Sequence, residues 1–355
     1  MILLEPSSHY SDQIIVAFNL PVEHALTSGV AHQMHTGFTG LVPLAGGIKM
    51  RSLHLTATVL AAGALVLAQQ PPTALGVPVQ TVVTAEARHG KEAPLLRAQD
   101  VMVFQKDQRL TVTDLTPCQG EHAALELYLL IDDASGTELG SQLSDLKHFI
   151  ETQPASASIG IAYMQNATVK IAQNPSTDHA RVAKALRLPF GYPGVSPSPF
   201  LSLSDLIKRW PAGAARREVV FISSGIDPLG GDAVNPYLDA AIHDAERAGV
   251  IVYTIYTPAA GHFGHAYWRI NWGQNHLTQI ADETGGESFM VGFGPAVSFA
   301  PYLQEIADHL ANQYLVRFQV MPPKKAGLQP VRFTTEVPNA DVVAARQVYV
   351  QAEAK

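Results

Sequence analysis

The sequence predicts an α/β protein with a mostly parallel central sheet flanked by helices, plus a small β module formed by the two flanks of that domain. From Ala123 onward, short aliphatic runs alternate with longer amphipathic stretches. This is the pattern of strands buried on both faces and of helices that cover them. Before and after that region the chain has short strand-like runs and few helix signals, which indicates the β module.

Composition limits the classes of function. The chain has 355 residues, of which 47% are hydrophobic and 15% are charged, so it can bury a large core. Its net charge of −7 comes without any long basic run, which argues against a nucleic-acid partner. The single cysteine, Cys118, excludes an internal disulfide and a thiolate zinc cluster, and we interpret it as a small buried hydrophobe.

Residues 50–68 have the pattern of a secretory signal peptide. A basic residue is followed by an apolar run, and Val66-Leu67-Ala68 has the small residues of a signal peptidase site. We therefore expect translation to start at Met50, the mature chain to begin near Gln69, and the protein to be secreted or periplasmic without a stable membrane span. Residues 1–49 would then be a mis-assigned upstream extension. The alternative is a genuine tail with an uncleaved anchor, although the apolar run is shorter than the roughly 20 residues of a spanning helix.

The α/β domain is predicted over residues 123–315. Its first strand is nearly all apolar, and a hairpin that turns near Asn166 adds an antiparallel strand at the sheet edge. The predicted strands are Leu125–Ile131, Ser158–Met164, Thr168–Ala172, Glu218–Ile222, Val250–Tyr256 and Ser288–Val291. The predicted helices are Leu139–Glu151, Thr177–Leu186, Phe200–Trp210, Pro236–Ala248, Asn275–Thr284 and Ala300–Asn312.

The β module is predicted to take strands from residues 76–118 and from residues 315–351. Neither flank alone has enough strands to bury a face, so we expect the two flanks to pair with each other. The predicted strands are Val77–Ala85, Val101–Gln105, Leu110–Asp114, Tyr314–Val320, Pro330–Val337 and Ala344–Val350.

An Asp-x-Ser-x-Thr motif, residues 133–137, directly follows the first strand of the α/β domain. It lies on the loop that leaves the carboxyl end of a parallel strand, which is the edge where open α/β sheets bind ligands. Three oxygen ligands at alternate positions of one tight loop can face a single point, which suits a hard cation such as Mg²⁺ or Mn²⁺. The pentapeptide alone is also typical of ordinary turns and helix caps.

With this motif and this order of elements, the chain resembles the von Willebrand factor type A (VWA) family. It is similar to the VWFA-related exported bacterial proteins of acidobacterial type. Phe221-Ile222-Ser223-Ser224-Gly225 resembles the family's fourth strand and the Thr-Asp-Gly that follows it. The resemblance covers about residues 75–351 and implies a Rossmann-like fold with a metal-ion-dependent adhesion site.

The resemblance implies a degenerate form of that site. The family takes Asp, Ser and Ser or Thr from the first loop, a Thr from the second and an Asp from the third. Ser198, or Ser196, offers the second-loop hydroxyl, and Ser224 stands where the family has the third-loop carboxylate. The lost charge weakens the attraction for a divalent ion unless a nearby carboxylate, Asp227 or Asp132, replaces it. The candidate metal ligands are Asp133, Ser135, Thr137, Ser198 and Asp227.

The stretch after the strand Val250–Tyr256 is predicted to be a long loop at the same edge of the sheet. It carries the candidate partner-binding residues His262, His265, Trp268 and Trp272, because exposed aromatic residues dominate the energetics of protein interfaces. The alternative is a loop that folds back over the sheet and buries its tryptophans. The histidine spacing also suits zinc, although the sequence offers no obvious third ligand.

The sequence predicts a binding protein rather than an enzyme. It contains no Gly-x-Ser-x-Gly, P-loop, Gly-x-Gly-x-x-Gly or His-Glu-x-x-His motif. We expect it to bind a protein or another macromolecule through the loops at the carboxyl edge of the central sheet, here called the top face. The alternatives are an exported hydrolase that uses Ser224 and a metal-free scaffold protein.

Overall fold

The computed structural model describes residues 76–352 except positions 91, 193, 195, 232, 261–265 and 291. These residues belong to one of the two compact units of the chain, Ala68–Lys355. The predicted signal peptide and the segment upstream of it lie outside the described residues. In the described part of the chain, every helix is too short or too polar to span a lipid bilayer.

The described residues form fifteen strands and six α-helices. The strands are β1 (Val77–Ala87), β2 (Val101–Gln105), β3 (Gln108–Leu110), β4 (Val112–Pro117), β5 (Leu125–Asp132), β6 (Ala157–Gln165), β7 (Thr168–Ser176), β8 (Arg216–Ser223), β9 (Val250–Tyr256), β10 (Ser288–Phe289), β11 (Gln313–Val320), β12 (Gly327–Pro330), β13 (Arg332–Thr335), β14 (Ala340–Ala344) and β15 (Gln347–Val350). The helices are α1 (Leu143–Thr152), α2 (His179–Ala183), α3 (Pro199–Arg209), α4 (Pro236–Ala248), α5 (Tyr267–Thr284) and α6 (Ala300–Ala311).

The predicted Rossmann-like sheet is confirmed. Six strands lie in the order β10-β9-β8-β5-β6-β7, and all neighbours are parallel except the β6–β7 hairpin at one edge. The hairpin turns at Asn166 and Ala167, which have φ values of 53° and 56°, as a two-residue turn that matches the strand twist requires. This antiparallel edge strand is the one predicted from the sequence.

Helices cover both faces of the sheet and bury alternate residues of each central strand. In β5, Leu129 and Ile131 belong to the apolar cluster that includes residues of α1, α2 and α6. Tyr128 and Leu130 belong to the opposite cluster, which includes residues of α3, α4 and α5. Full burial of each such side chain stabilises the fold by about 1.5–3 kcal/mol. The central strands are therefore apolar on both sides and are fixed in the middle of the domain.

Both flanks form the predicted β module. Strand β1 lies between two strands from the other end of the chain, in the sheet order β14-β1-β11-β4. Its antiparallel register with β11 runs from Val77 opposite Val320 to Thr84 opposite Gln313. Two smaller sheets, β13-β2-β3 and β12-β15, complete the module around its own apolar core. The flanks thus share one core although 195 residues lie between the end of β4 at Pro117 and the start of β11 at Gln313.

Two predicted boundaries near the top face are wrong. Trp268 and Trp272 lie on the first turns of α5 and not on a loop, because packing of Ile270 into the core supports a helix that the low propensities of Trp, Asn and Gly did not indicate. Helix α2 ends at Ala183 and not at residue 186. Pro189 disfavours helical backbone just before it, which is consistent with an early end.

Candidate functional site

The top face holds a cavity of about 310 Å³. Asp132 and Ser224, from the ends of β5 and β8, line it together with Ser198 at the start of α3. Tyr192 and Ala260 come from the loops before α3 and after β9. The carboxyl ends of parallel strands therefore converge on one concave region, as the fold predicts.

Asp133 is paired with an arginine that the sequence analysis did not single out. Its carboxylate is 1% exposed and accepts hydrogen bonds from Nη1 of Arg187 at 2.7 Å and from Nη2 at 2.8 Å. The backbone N–H of Phe190 lies 3.4 Å from the same carboxylate. A bidentate pair of this kind uses both carboxylate oxygens and is among the strongest polar contacts in proteins. The hydrogen bond to Asp133 raises the pKa of Arg187 above its ordinary value.

Two aromatic rings hold the guanidinium of Arg187. Its Cζ lies 3.6 Å from the ring centroid of Tyr163 and 3.9 Å from that of Phe190. The Tyr163 hydroxyl accepts a hydrogen bond from the Arg187 backbone N–H at 2.7 Å and donates one to the Arg187 carbonyl at 3.0 Å. Nη1 also donates to the carbonyl of Leu188 at 2.9 Å. Both the backbone and the side chain of Arg187 are therefore fixed.

Asp132 is a second buried carboxylate at the end of β5. It accepts hydrogen bonds from Oγ of Ser223 at 2.7 Å and from the backbone N–H of Ala134 at 2.9 Å. Burial raises its pKa to about 6, against the smaller opposing effect of these hydrogen bonds. Asp132 therefore lines the cavity as a carboxyl group whose charged form is disfavoured by burial.

Asp227 joins the second and third loops of the top face. Its carboxylate accepts hydrogen bonds from Oγ of Ser198 at 2.7 Å, from the backbone N–H groups of Leu229 and Gly230 at 3.0 and 3.1 Å, and from Nδ2 of Asn235 at 3.2 Å. Ser198 is in turn the N-cap of α3. These contacts satisfy the carboxylate within the protein and indicate a structural role for the pair.

The remaining candidate ligands are in different environments. Ser135 is 1% exposed, and its Oγ has no hydrogen-bond partner among the described residues. Its backbone forms a β-bridge with Ala259, so the loop after β9 lies against the motif. Thr137 is exposed at the start of a 3₁₀ turn. Oγ of Ser224 accepts a hydrogen bond from the backbone N–H of Ile226 at 3.3 Å.

The residues present at the motif do not fit a divalent cation. Both oxygens of Asp133 face the guanidinium of Arg187, while Ser198 and Asp227 are bonded to each other. Of the candidate metal ligands, Ser135 alone offers a buried side-chain oxygen that has no hydrogen-bond partner in the described structure. A hard cation needs several free oxygen ligands around one point. In this geometry a cation would compete with an arginine for the only carboxylate of the motif.

The predicted partner-binding residues divide into two groups. His262 and His265 lie outside the described residues. Trp268 is 45% exposed, with its ring centroid 4.9 Å from that of Trp272, which is half-buried. The first turn of α5 therefore does present an aromatic surface near the carboxyl edge.

A second apolar surface was missed by the sequence analysis. Leu188, Phe190 and Tyr192 are 45%, 65% and 57% exposed on the loop between α2 and α3, and Tyr192 lines the cavity. The signal was present in the sequence as aromatic residues among the prolines and glycines of residues 188–194. Such a loop places apolar side chains in solvent without a core to receive them.

A cluster of titratable groups lies away from the top face. Ligand atoms of Glu287, Glu305 and His309 all lie within 4.8 Å of one another. Nε2 of His309 is 3.5 Å from Glu287 and 3.6 Å from Glu86. Burial, followed by repulsion from Glu305 and Glu86, raises the pKa of Glu287 to about 7, whereas burial lowers that of His309. No sequence motif indicated this cluster, because Glu305 and His309 lie on one face of α6 but Glu287 comes from the segment just before β10.

Comparisons with solved structures give likenesses to the fold only. One is an aerotolerance-related membrane protein from Bacteroides fragilis with multiple mutations to serine, at 13% identity and a TM-score of 0.38, covering 53% of this chain and 98% of that chain. The ArnB paralog VWA2 from Sulfolobus acidocaldarius has 8% identity and a TM-score of 0.36, covering 77% and 76%. The SpRpn10 VWA domain has 11% identity and a TM-score of 0.36, covering 52% and 94%. No protein-family model matches the sequence. No curated protein matches it either.

The VWA-type order of elements predicted from the sequence is present in the structure. A parallel strand with its motif loop is followed by a helix, a hairpin, two helices, a strand, a helix and a strand. These elements form the mostly parallel sheet with helices on both faces. The described residues therefore have the Rossmann-like fold that the resemblance implies, together with an additional β module.

Proposed function

We propose that this chain is an exported, non-enzymatic VWA-like protein that binds another protein through its top face. The observation that supports this most directly is the exposure of Leu188, Phe190 and Tyr192 beside the cavity. The signal-peptide pattern of residues 50–68 supports export to the periplasm or the medium.

The apolar side chains have the properties of interface anchors. Aromatic residues contribute most to binding when they fill a pocket or close against a flat partner. Phe190 packs on the guanidinium of Arg187, which itself is held by Asp133, so this ring is ordered before a partner arrives. Order in the free protein lowers the entropic cost of association. The exposed Trp268 adds aromatic area on α5.

A pair of matched variants tests the proposal. The top-face variant carries Phe190→Ser and Tyr192→Ser, and the control carries Leu95→Ser and Met321→Ser, which are 86% and 52% exposed. Each protein is immobilised, incubated with the native secretome and analysed by quantitative proteomics.

We expect at least one protein that wild type and control capture and that the top-face variant loses. If all three capture the same proteins, the top face is not the binding surface. If none captures a protein above background, the proposed binding function is wrong for this secretome.

A further inference from the structure

The buried carboxylate of Asp133 has a cationic partner within the protein, the guanidinium of Arg187. We infer that the guanidinium of Arg187 takes the place of the divalent cation that the Asp-x-Ser-x-Thr motif predicts. Nη1 and Nη2 lie 2.7 and 2.8 Å from the two oxygens of Asp133, in the fork geometry that matches a carboxylate. The carboxylate is 1% exposed, so it needs a fixed positive partner in the folded protein.

Neighbouring side chains hold Arg187 in one position. The rings of Tyr163 and Phe190 both lie against its guanidinium, and the Tyr163 hydroxyl bonds both the N–H and the carbonyl of its backbone. Moving the guanidinium away from Asp133 would break the two ring contacts as well as the ion pair. A divalent ion that reached Asp133 would first have to displace this whole arrangement.

The other candidate ligands support the same inference. Ser198 donates to Asp227, and Thr137 is exposed at the start of the 3₁₀ turn. Ser224 has no charge to offer where the resemblance implies a carboxylate. Compared with the site that the resemblance implies, this one has one fewer carboxylate and one additional internal cation. Both differences lower the electrostatic attraction for a metal ion.

If the chain binds a partner as proposed above, the Asp133–Arg187 pair also determines whether a metal ion can take part in that binding. A bound metal could join an acidic side chain of a partner to the top face. The guanidinium of Arg187 has Nη1 and Nη2 already engaged, and an apolar ring covers one of its faces. Partner binding is therefore expected to be independent of divalent ions and insensitive to chelators.

Manganese titration of the full chain tests the inference without any partner. Free Mn²⁺ is measured by electron paramagnetic resonance for wild type, Asp133→Asn, Arg187→Gln, the double variant and a control, Arg209→Gln. Arg209 makes an ordinary ion pair with Asp205 on the surface of α3. The comparison with Asp133→Asn separates this site from Mn²⁺ held by other groups, such as the Glu287 cluster.

We expect wild type, Asp133→Asn and Arg209→Gln to bind the same amount of Mn²⁺. Arg187→Gln should gain a site with at least roughly tenfold higher affinity than wild type shows there, because a unit positive charge is removed from beside the carboxylate. The double variant should lose that site again.

Two results would overturn the inference. One is a wild-type Mn²⁺ site that Asp133→Asn removes, and the other is a folded Arg187→Gln protein without an Asp133-dependent site. If circular dichroism shows that Arg187→Gln is unfolded, the wild-type and Asp133→Asn titrations decide alone. Equal Mn²⁺ binding by wild type and Asp133→Asn then supports the inference, and weaker Mn²⁺ binding by Asp133→Asn overturns it. The capture experiment can fail while these titrations succeed, so the two proposals are tested separately.

Discussion

Glu218 offers a sharp test of the electrostatics of the core. It lies in the central strand β8 and is 0% exposed, with its Oε1 3.9 Å from Nε of Arg216. Burial raises its pKa from 4.5 to about 7, and the positive charge of Arg216 offsets only part of that effect. The charged form of Glu218 is therefore unfavourable in the folded state.

The sign of the pH dependence follows from this rise. Below pH 4.5 the carboxyl is protonated in both the folded and the unfolded chain, and its contribution to stability is fully present. As the pH rises towards 7, the unfolded chain ionises more readily than the folded one, and stability is lost. A pKa rise from 4.5 to about 7 corresponds to a loss of roughly 3 kcal/mol in the free energy of unfolding at pH 8.

Glu218→Gln removes this ionisation and keeps the shape of the side chain. We expect the free energy of unfolding of the variant to exceed that of wild type by up to roughly 3 kcal/mol at pH 8 and to equal it near pH 4. Urea unfolding at both pH values measures the difference, with Glu151→Gln, an exposed position on α1, as the control. A difference between variant and wild type that is the same at both pH values would refute the reasoning.

Three further predictions concern the ends of the chain and one close backbone approach. N-terminal sequencing of native material should find a start near Gln69, and a stable chain that retains residues before Met50 would contradict this. Truncation after Asn312 removes β11 and β14, so amide exchange in β1 should accelerate; unchanged exchange would show that the flanks fold independently. Gly225 and Gly249 both have positive φ, but a Cβ at Gly225 would collide with the Gly273 carbonyl and one at Gly249 meets nothing within 4 Å. Gly249→Ala should therefore lower the free energy of unfolding by about 1 kcal/mol, and Gly225→Ala should lower it clearly more. Equal losses of stability in thermal unfolding would show that the collision at Gly225 is relieved.

Local sequence patterns were sufficient for the elements whose cause is local. The nearly continuous apolar run of β5 predicted a strand buried on both faces, and Asn166-Ala167 marked the hairpin. Gly285 was predicted as a helix stop and has a φ of 83° at the C-cap of α5. The aliphatic residues of β5 favour a strand, and Asn166 and Gly285 tolerate left-handed backbone, so neighbouring residues in space add little there. Ala167 is the exception, because alanine disfavours the positive φ that the two-residue turn requires.

Long-range packing decided the elements that were mispredicted. The first turns of α5 contain residues with low helix propensity, and their helix depends on contacts of Ile270 with the core. The strand β10 has two residues instead of the predicted four, because it pairs with β9 only at Ser288 and Phe289. A single-sequence pattern does not contain the position of the neighbouring strand.

The candidate site shows the same division between local and distant causes. The motif predicts Asp133 directly after β5, where it is found, but nothing in the sequence indicates that its partner is Arg187, which is 54 positions away in a segment without a motif. Ser224 stands where the resemblance implies a carboxylate, and by itself this suggests only a weaker metal site. Arg187 gives the buried carboxylate of Asp133 a counter-ion within the protein, so under the proposal a further acidic ligand at position 224 is not required. The same guanidinium packs on Phe190, so the residue proposed to replace the cation also orders the loop that exposes Phe190 and Tyr192.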